Sequence, residues 1–120
     1  MTTDSAPAVD GVTWRLQAVP GTKSLDPVPD TVVSTMAIND GRVQLATGCN
    51  TGMGDVTVTD TQLTWGSLAL TRMFCPGLPG ETETAVVAVI GQSQPTTWSV
   101  SDNTLTLTAA NGKQLVYRAS

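Results

Sequence analysis

Short blocks of alternating apolar and polar residues, each ended by a turn signal, constrain this chain more than any other feature. Val12, Trp14, Leu16 and Ala18 fall on one side of a first extended segment, because successive strand side chains point to opposite faces. Segments 33–38 and 42–47 flank Asn39-Asp40-Gly41, a hairpin signal. Val56 and Val58 alternate with Thr57 and Thr59, Asp60-Thr61 turns the chain into 62–65, and a further extended segment runs from Leu68 to Thr71. Trp98 and Val100 alternate, Asp102-Asn103 turns, and Leu105 and Leu107 alternate with threonines before Asn111-Gly112 makes a tight hairpin into 115–118. The pattern predicts a mainly β domain: a small antiparallel barrel or strongly curled sheet of about eight strands.

One insert departs from the alternation. Over residues 80–90, Ala85, Val86, Val89 and Ile90 recur at helical spacing. Glu81 and Glu83 are expected in the first turn, where carboxylates suit the helix dipole, and Gly91 is expected to end the helix in a left-handed conformation. The β-branched run works against the helix, while Gly77, Pro79 and Gly80 make a strand start there still less favourable. Residues 19–31 carry Pro20, Gly21, Pro27 and Pro29 and form a loop that has no place in a central strand.

Composition agrees. Twenty threonines stand against two glutamates, a balance that favours strands. A chain of 120 residues fits one domain and can bury about two-thirds of its unfolded surface. With 40% apolar and only 13% charged residues the body should fold. Residues 1–10 are small and polar and read as a flexible tail, a linker remnant left after a removed signal or anchor segment, with the domain spanning 11–120.

Several function classes lose ground. The chain has no histidine, so a Ser-His-Asp triad, a Cys-His pair and His-ligated metal sites are excluded. The six basic residues are scattered and the pI is near 4.3, which gives no electrostatic footprint for nucleic acid or an anionic membrane surface. No apolar stretch approaches the length of a transmembrane helix. Glu81 and Glu83 are two apart and do not share a helix face. Asp26 and Asp30 lack the spacing of a calcium loop. No catalytic residue, cofactor or metal ligand can be named, and enzyme activity ranks last.

The stretch richest in signal is Gly48-Cys49-Asn50-Thr51-Gly52-Met53-Gly54, followed by Thr71-Arg72-Met73-Phe74-Cys75-Pro76 and then Glu83. Its glycines suggest tight turns or a bulge between strands. Cys49 and Cys75 are the one possible intramolecular pair, either bridged or held as two buried free thiols. Asn50 could hold its loop by bonding its own backbone, which we favour, or offer its amide for recognition. Thr71 and Arg72 could close hydrogen bonds at a strand end, and a binding role for Arg72 is the minority reading. Of Met73 and Phe74, strand alternation puts one in the core and the other outside.

These motifs together resemble the META domain family, which includes HslJ-type heat-inducible bacterial proteins. The resemblance covers about residues 11–118, from Val12-Thr13-Trp14-Arg15-Leu16 to the closing hairpin. It implies a compact, mainly antiparallel β-domain with one helix and no defined catalytic activity. Members are often lipoproteins or exported envelope proteins associated with heat stress, novobiocin resistance or virulence. The family often has an aromatic where this chain has Gly52 and another where it has Val56, so any contact surface those aromatics form is missing here. A lipid-anchor cysteine ahead of the domain is also absent from this sequence, which leaves membrane anchoring to a longer precursor.

The expectation is therefore a monomeric, extracytoplasmic, non-enzymatic domain with a Cys49–Cys75 bridge. It acts by binding a macromolecule, an envelope or host protein, through a patch around residues 48–54 and 72–80. Candidate contacts are Gly48, Asn50, Met53, Gly54, Thr71, Arg72, Met73 and Leu78. The alternative is a small hydrophobic-ligand carrier with a barrel cavity lined by Trp14, Trp65 and Trp98, whose plainer reading is barrel core. A third idea, blockade of an extracellular hydrolase through loop 19–31, has only the prolines of that loop behind it.

Overall fold

The alternating blocks close on themselves. The computed structural model describes residues 8–91 and 94–120. Eight strands run β1 (Thr13–Ala18), β2 (Thr35–Asn39), β3 (Arg42–Ala46), β4 (Thr51–Val58), β5 (Gln62–Leu70), β6 (Thr96–Ser101), β7 (Thr104–Thr108) and β8 (Gln114–Ala119), with helix α1 (Leu78–Ile90) between β5 and β6. All neighbours pair antiparallel in sequence order, and β8 returns to β1 to close the barrel. Closure leaves no sheet edge along most of the perimeter.

The up-and-down order sorts the connections. At one end lie three tight turns, and two of them carry the positive φ angles that such hairpins need: Asp40 and Gly41 at 51° and 78°, Asp102 and Asn103 at 50° and 64°. At the other end lie the longer connections 19–34, 47–50 and 109–113, together with the segment that contains α1. This second end is sealed by apolar side chains. Val19, Leu25, Val28 and Val32 of the first loop join Val86, Val89 and Ile90 of α1 in one core with the inward residues of the strands. The proline-rich loop is thus part of the core, held by a short 3₁₀ turn at Lys23–Leu25 and by backbone bonds such as Val28 N–H to the Gln17 carbonyl.

Some local expectations are corrected. Gly52 and Gly54 lie within β4, and Gly66 within β5, so both strands run through stretches expected to break them. A bulge is present, but its extra residue lies on β5 rather than among the glycines of 48–54: Gly66 and Ser67 together oppose Asp55. The helix starts at Leu78, with Pro79 in its first turn where a missing N–H costs nothing. Its first turn holds Glu81 but not Glu83, and Gly91 ends it at φ −76°, outside the left-handed region. Of the ten residues read as a tail, 1–7 lie outside the described residues; Val9 is fully buried and its carbonyl accepts the Trp14 indole N–H at 3.1 Å.

Candidate functional site: a pinned ridge at the closed end of the barrel

Cys49 and Cys75 form a disulfide, with Cα atoms 5.8 Å apart, that ties the β3–β4 connection to the segment leading into α1. Gly48 opens this connection at φ 106°, a conformation that favours glycine. A Cβ there would also press on Thr82 and Val32 at about 3.2 Å.

Asn50 is the centre of the site. It is 3% exposed, and all four hydrogen-bonding positions of its side-chain amide are used. The Oδ1 atom accepts from the Thr71 hydroxyl at 2.8 Å and from the Met73 backbone N–H at 2.7 Å. The Nδ2 atom donates to the Met73 carbonyl at 3.1 Å and to the Glu83 carboxylate at 2.9 Å. Thr47 completes the arrangement: its hydroxyl donates to Glu83 at 2.7 Å and accepts the Asn50 backbone N–H at 2.9 Å. Three separate segments are therefore joined through one side chain. The Asn50 side chain bonds Met73, Thr71 and Glu83 rather than its own backbone. Glu83 acts through this network and not at the helix start.

What the network supports is exposed. Residues 71–77 are not a strand, so the alternation argument does not apply, and Met73 and Phe74 both face solvent at 63% and 89%. Arg72 is exposed beside them and makes no ion pair among the described residues. The backbone below is fixed at both atoms of Met73 that Asn50 holds and again at Cys75. Met53 is half exposed on the outer face of β4, opposite Ala69, and lines a shallow hollow that reaches Thr71. Gly54 is buried in the same strand. Leu78 does not join the ridge; it is half-buried and packs against the core from the start of α1.

The tryptophans are not gathered together. Trp14 and Trp65 are buried in the core, and Trp98 packs against it half-buried. Each indole N–H is satisfied, by the Val9 carbonyl, the Thr96 hydroxyl at 2.9 Å and the Thr59 carbonyl at 2.9 Å respectively. Trp65 borders a cleft of about 580 Å³ between β5 and α1, which Trp14 and Trp98 do not line.

Among the described residues no cluster of acidic, cysteine or histidine side chains could hold a metal ion, and no helix is long and apolar enough to cross a membrane. The site offers an apolar and cationic surface on a fixed backbone, with its carboxylate already committed to Asn50 and Thr47.

Comparison with known proteins agrees with this architecture. A solved NMR structure of a protein from Burkholderia xenovorans is 22% identical, with a TM-score of 0.71 over 100% of this chain and 94% of that one. A second NMR structure is also 22% identical, with a TM-score of 0.74 over 92% and 91% of the two chains. At such identity the likeness shows the fold. A search of curated proteins returns no match. The META domain family model matches residues 7–120, nearly the whole length. The chain belongs to the META domain family, which is associated with the bacterial cell envelope.

Proposed function

We propose that this domain is a non-enzymatic, extracytoplasmic binding module that engages an envelope or host protein through Arg72, Met73 and Phe74. The observation that carries the reading is the pairing of exposure with fixation. Phe74 is 89% exposed on a backbone held by Asn50 and by a disulfide. Contiguous exposed apolar side chains, as Met73 and Phe74 are here, can mark interaction sites, and a contact loop fixed in advance loses less entropy on binding. The disulfide supports an oxidising compartment, and membership of the META domain family supports a place at the bacterial cell envelope. Carriage of a small hydrophobic ligand has one observation in its favour, the position of Trp65 beside the β5–α1 cleft.

The test places a photo-cross-linking amino acid at Phe74 in the native host. A discrete adduct that disappears when Arg72→Ala and Met73→Ala are added, with thermal stability unchanged, supports the ridge. Absence of any adduct, or an adduct indifferent to both changes, overturns it.

A further inference from the structure

The barrel is closed unevenly. β5 pairs with β4 from Leu63 to Leu70 but with β6 only at Gln62 and Leu63. β6 begins at Thr96, directly after Pro95, which has no N–H to extend the ladder. Beyond that point the outer edge of β5 has no strand beside it among the described residues. No backbone hydrogen bond joins it to α1 among the described residues.

The antiparallel pattern identifies the groups left over. Thr71 N–H donates to the Thr51 carbonyl, so residues 69 and 71 turn their backbone toward β4, and Leu68 and Leu70 turn theirs away from it. On the other side of the bulge, Val56 N–H is bonded to Gly41 in the direction of β3. Its partner Trp65 therefore also presents its backbone to the open edge. Donors and acceptors thus recur along about 20 Å of strand, six residues at about 3.3 Å each. The cleft of about 580 Å³ lies against this edge, floored by Leu68 and Leu70 and walled by Val86 and Ile90 of α1, with no ionisable side chain in its lining.

We propose that this edge of β5, from Trp65 to Leu70, receives an extended, uncharged segment of a partner polypeptide as an added strand between β5 and α1. A row of unpaired N–H and C=O groups is complementary to another extended backbone. The uncharged lining selects against Asp, Glu, Lys and Arg in the segment, since a charge placed there would be desolvated without a counter-charge. The apolar floor selects residues of alternating apolar character. The site is separate from the Arg72–Phe74 ridge and does not depend on it.

The experiment uses the whole chain, isotopically labelled for amide hydrogen exchange, and linear seven-residue peptides selected against it from a random displayed library. The expected result is a peptide that slows exchange at Leu68 and Leu70 at least tenfold. Methylation of alternate backbone nitrogens in that peptide should abolish binding, and the Met73→Ala/Phe74→Ala variant should bind it unchanged. The proposal is overturned if Leu68 and Leu70 are already as protected in the free chain as Ala69 and Thr71, or if no selected peptide protects them. Equal binding of the N-methylated peptide also overturns it, because a side-chain pocket for small apolar ligands would then explain the cleft. Protection arising from dimerisation without peptide would assign the edge to a second copy instead.

Discussion

The Asn50 amide nitrogen donates to both oxygens of the Glu83 carboxylate, at 2.9 and 3.1 Å, across 33 residues of sequence. Because the Glu83 carboxylate only accepts, this bond fixes which way the Asn50 amide points. The same orientation presents Oδ1 to the Met73 N–H and to Thr71. One pair thus couples the helix to the loop that carries the exposed ridge.

Asn50→Asp tests the coupling. The change keeps the shape, removes the donor to Glu83 and to the Met73 carbonyl, and sets two carboxylates face to face. The expected loss is about 2–4 kcal/mol of unfolding free energy, the range for leaving a buried polar group unpaired or opposed. Glu83→Gln in the same chain supplies a donor again, so the double variant should recover part of the loss in a urea-unfolding cycle. A single variant within 0.5 kcal/mol of the parent would remove Asn50 from the centre of the site.

Replacing both Cys49 and Cys75 by alanine should cost about 3–4 kcal/mol, the chain-entropy value for a loop closed over this separation of 26. The melting temperature should fall by about 10–20 °C. If Asn50 holds the loop independently, amides of residues 72–74 in the unbridged chain should exchange no faster than its lower global stability dictates. Exchange faster than that would make the disulfide the principal restraint.

The barrel was legible because its signals are local. Trp14 and Leu16, or Leu105 and Leu107, declare a face by alternation, and Asp102-Asn103 declares a turn by tolerating positive φ. The cysteine pair was legible from the motif as well. The rest depends on distant partners. Nothing local shows that Leu25 fills the core from a proline-rich loop, or that Glu83 turns toward Asn50 rather than acting at the helix start. Alternation misplaces Met73 and Phe74 because they lie beyond Leu70, the last residue of β5. Gly52 and Gly54 suggested turns, although the neighbouring strand is what demands them.

That demand can be measured at Gly54. A Cβ built there would lie 2.5 Å from the Ser67 carbonyl and 2.6 Å from Leu68 Cδ2. The first neighbour is backbone inside a paired strand and cannot step aside without breaking the β4–β5 ladder. Gly54→Ala should therefore destabilise by about 1–3 kcal/mol through overpacking, against the roughly 0.5–1 kcal/mol gain that alanine brings over glycine in a permissive strand. Denaturant unfolding checks the sign: a stabilised variant would mean that the two strands separate readily at the bulge.

The phenol of Tyr117 is fully buried, and its hydroxyl has no hydrogen-bond partner among the described residues. Burial pushes its pKa well above the usual tyrosine range. In the unfolded chain the same group ionises near pH 10, so above that pH the unfolded state releases a proton that the folded state keeps. This contribution is fully present below about pH 10 and is lost as pH rises, by about 1.4 kcal/mol per pH unit, until the folded group itself ionises. Tyr117→Phe removes both the orphaned hydroxyl and the linked proton. It should unfold about 1 kcal/mol later than the parent at pH 7, and the advantage should widen between pH 10 and 11. Tyr117 is the sole tyrosine, so phenolate absorbance near 295 nm should appear in the parent only with unfolding. Parallel decline of the two proteins, or phenolate in the folded parent at pH 10.5, would show that water reaches the hydroxyl through the barrel wall.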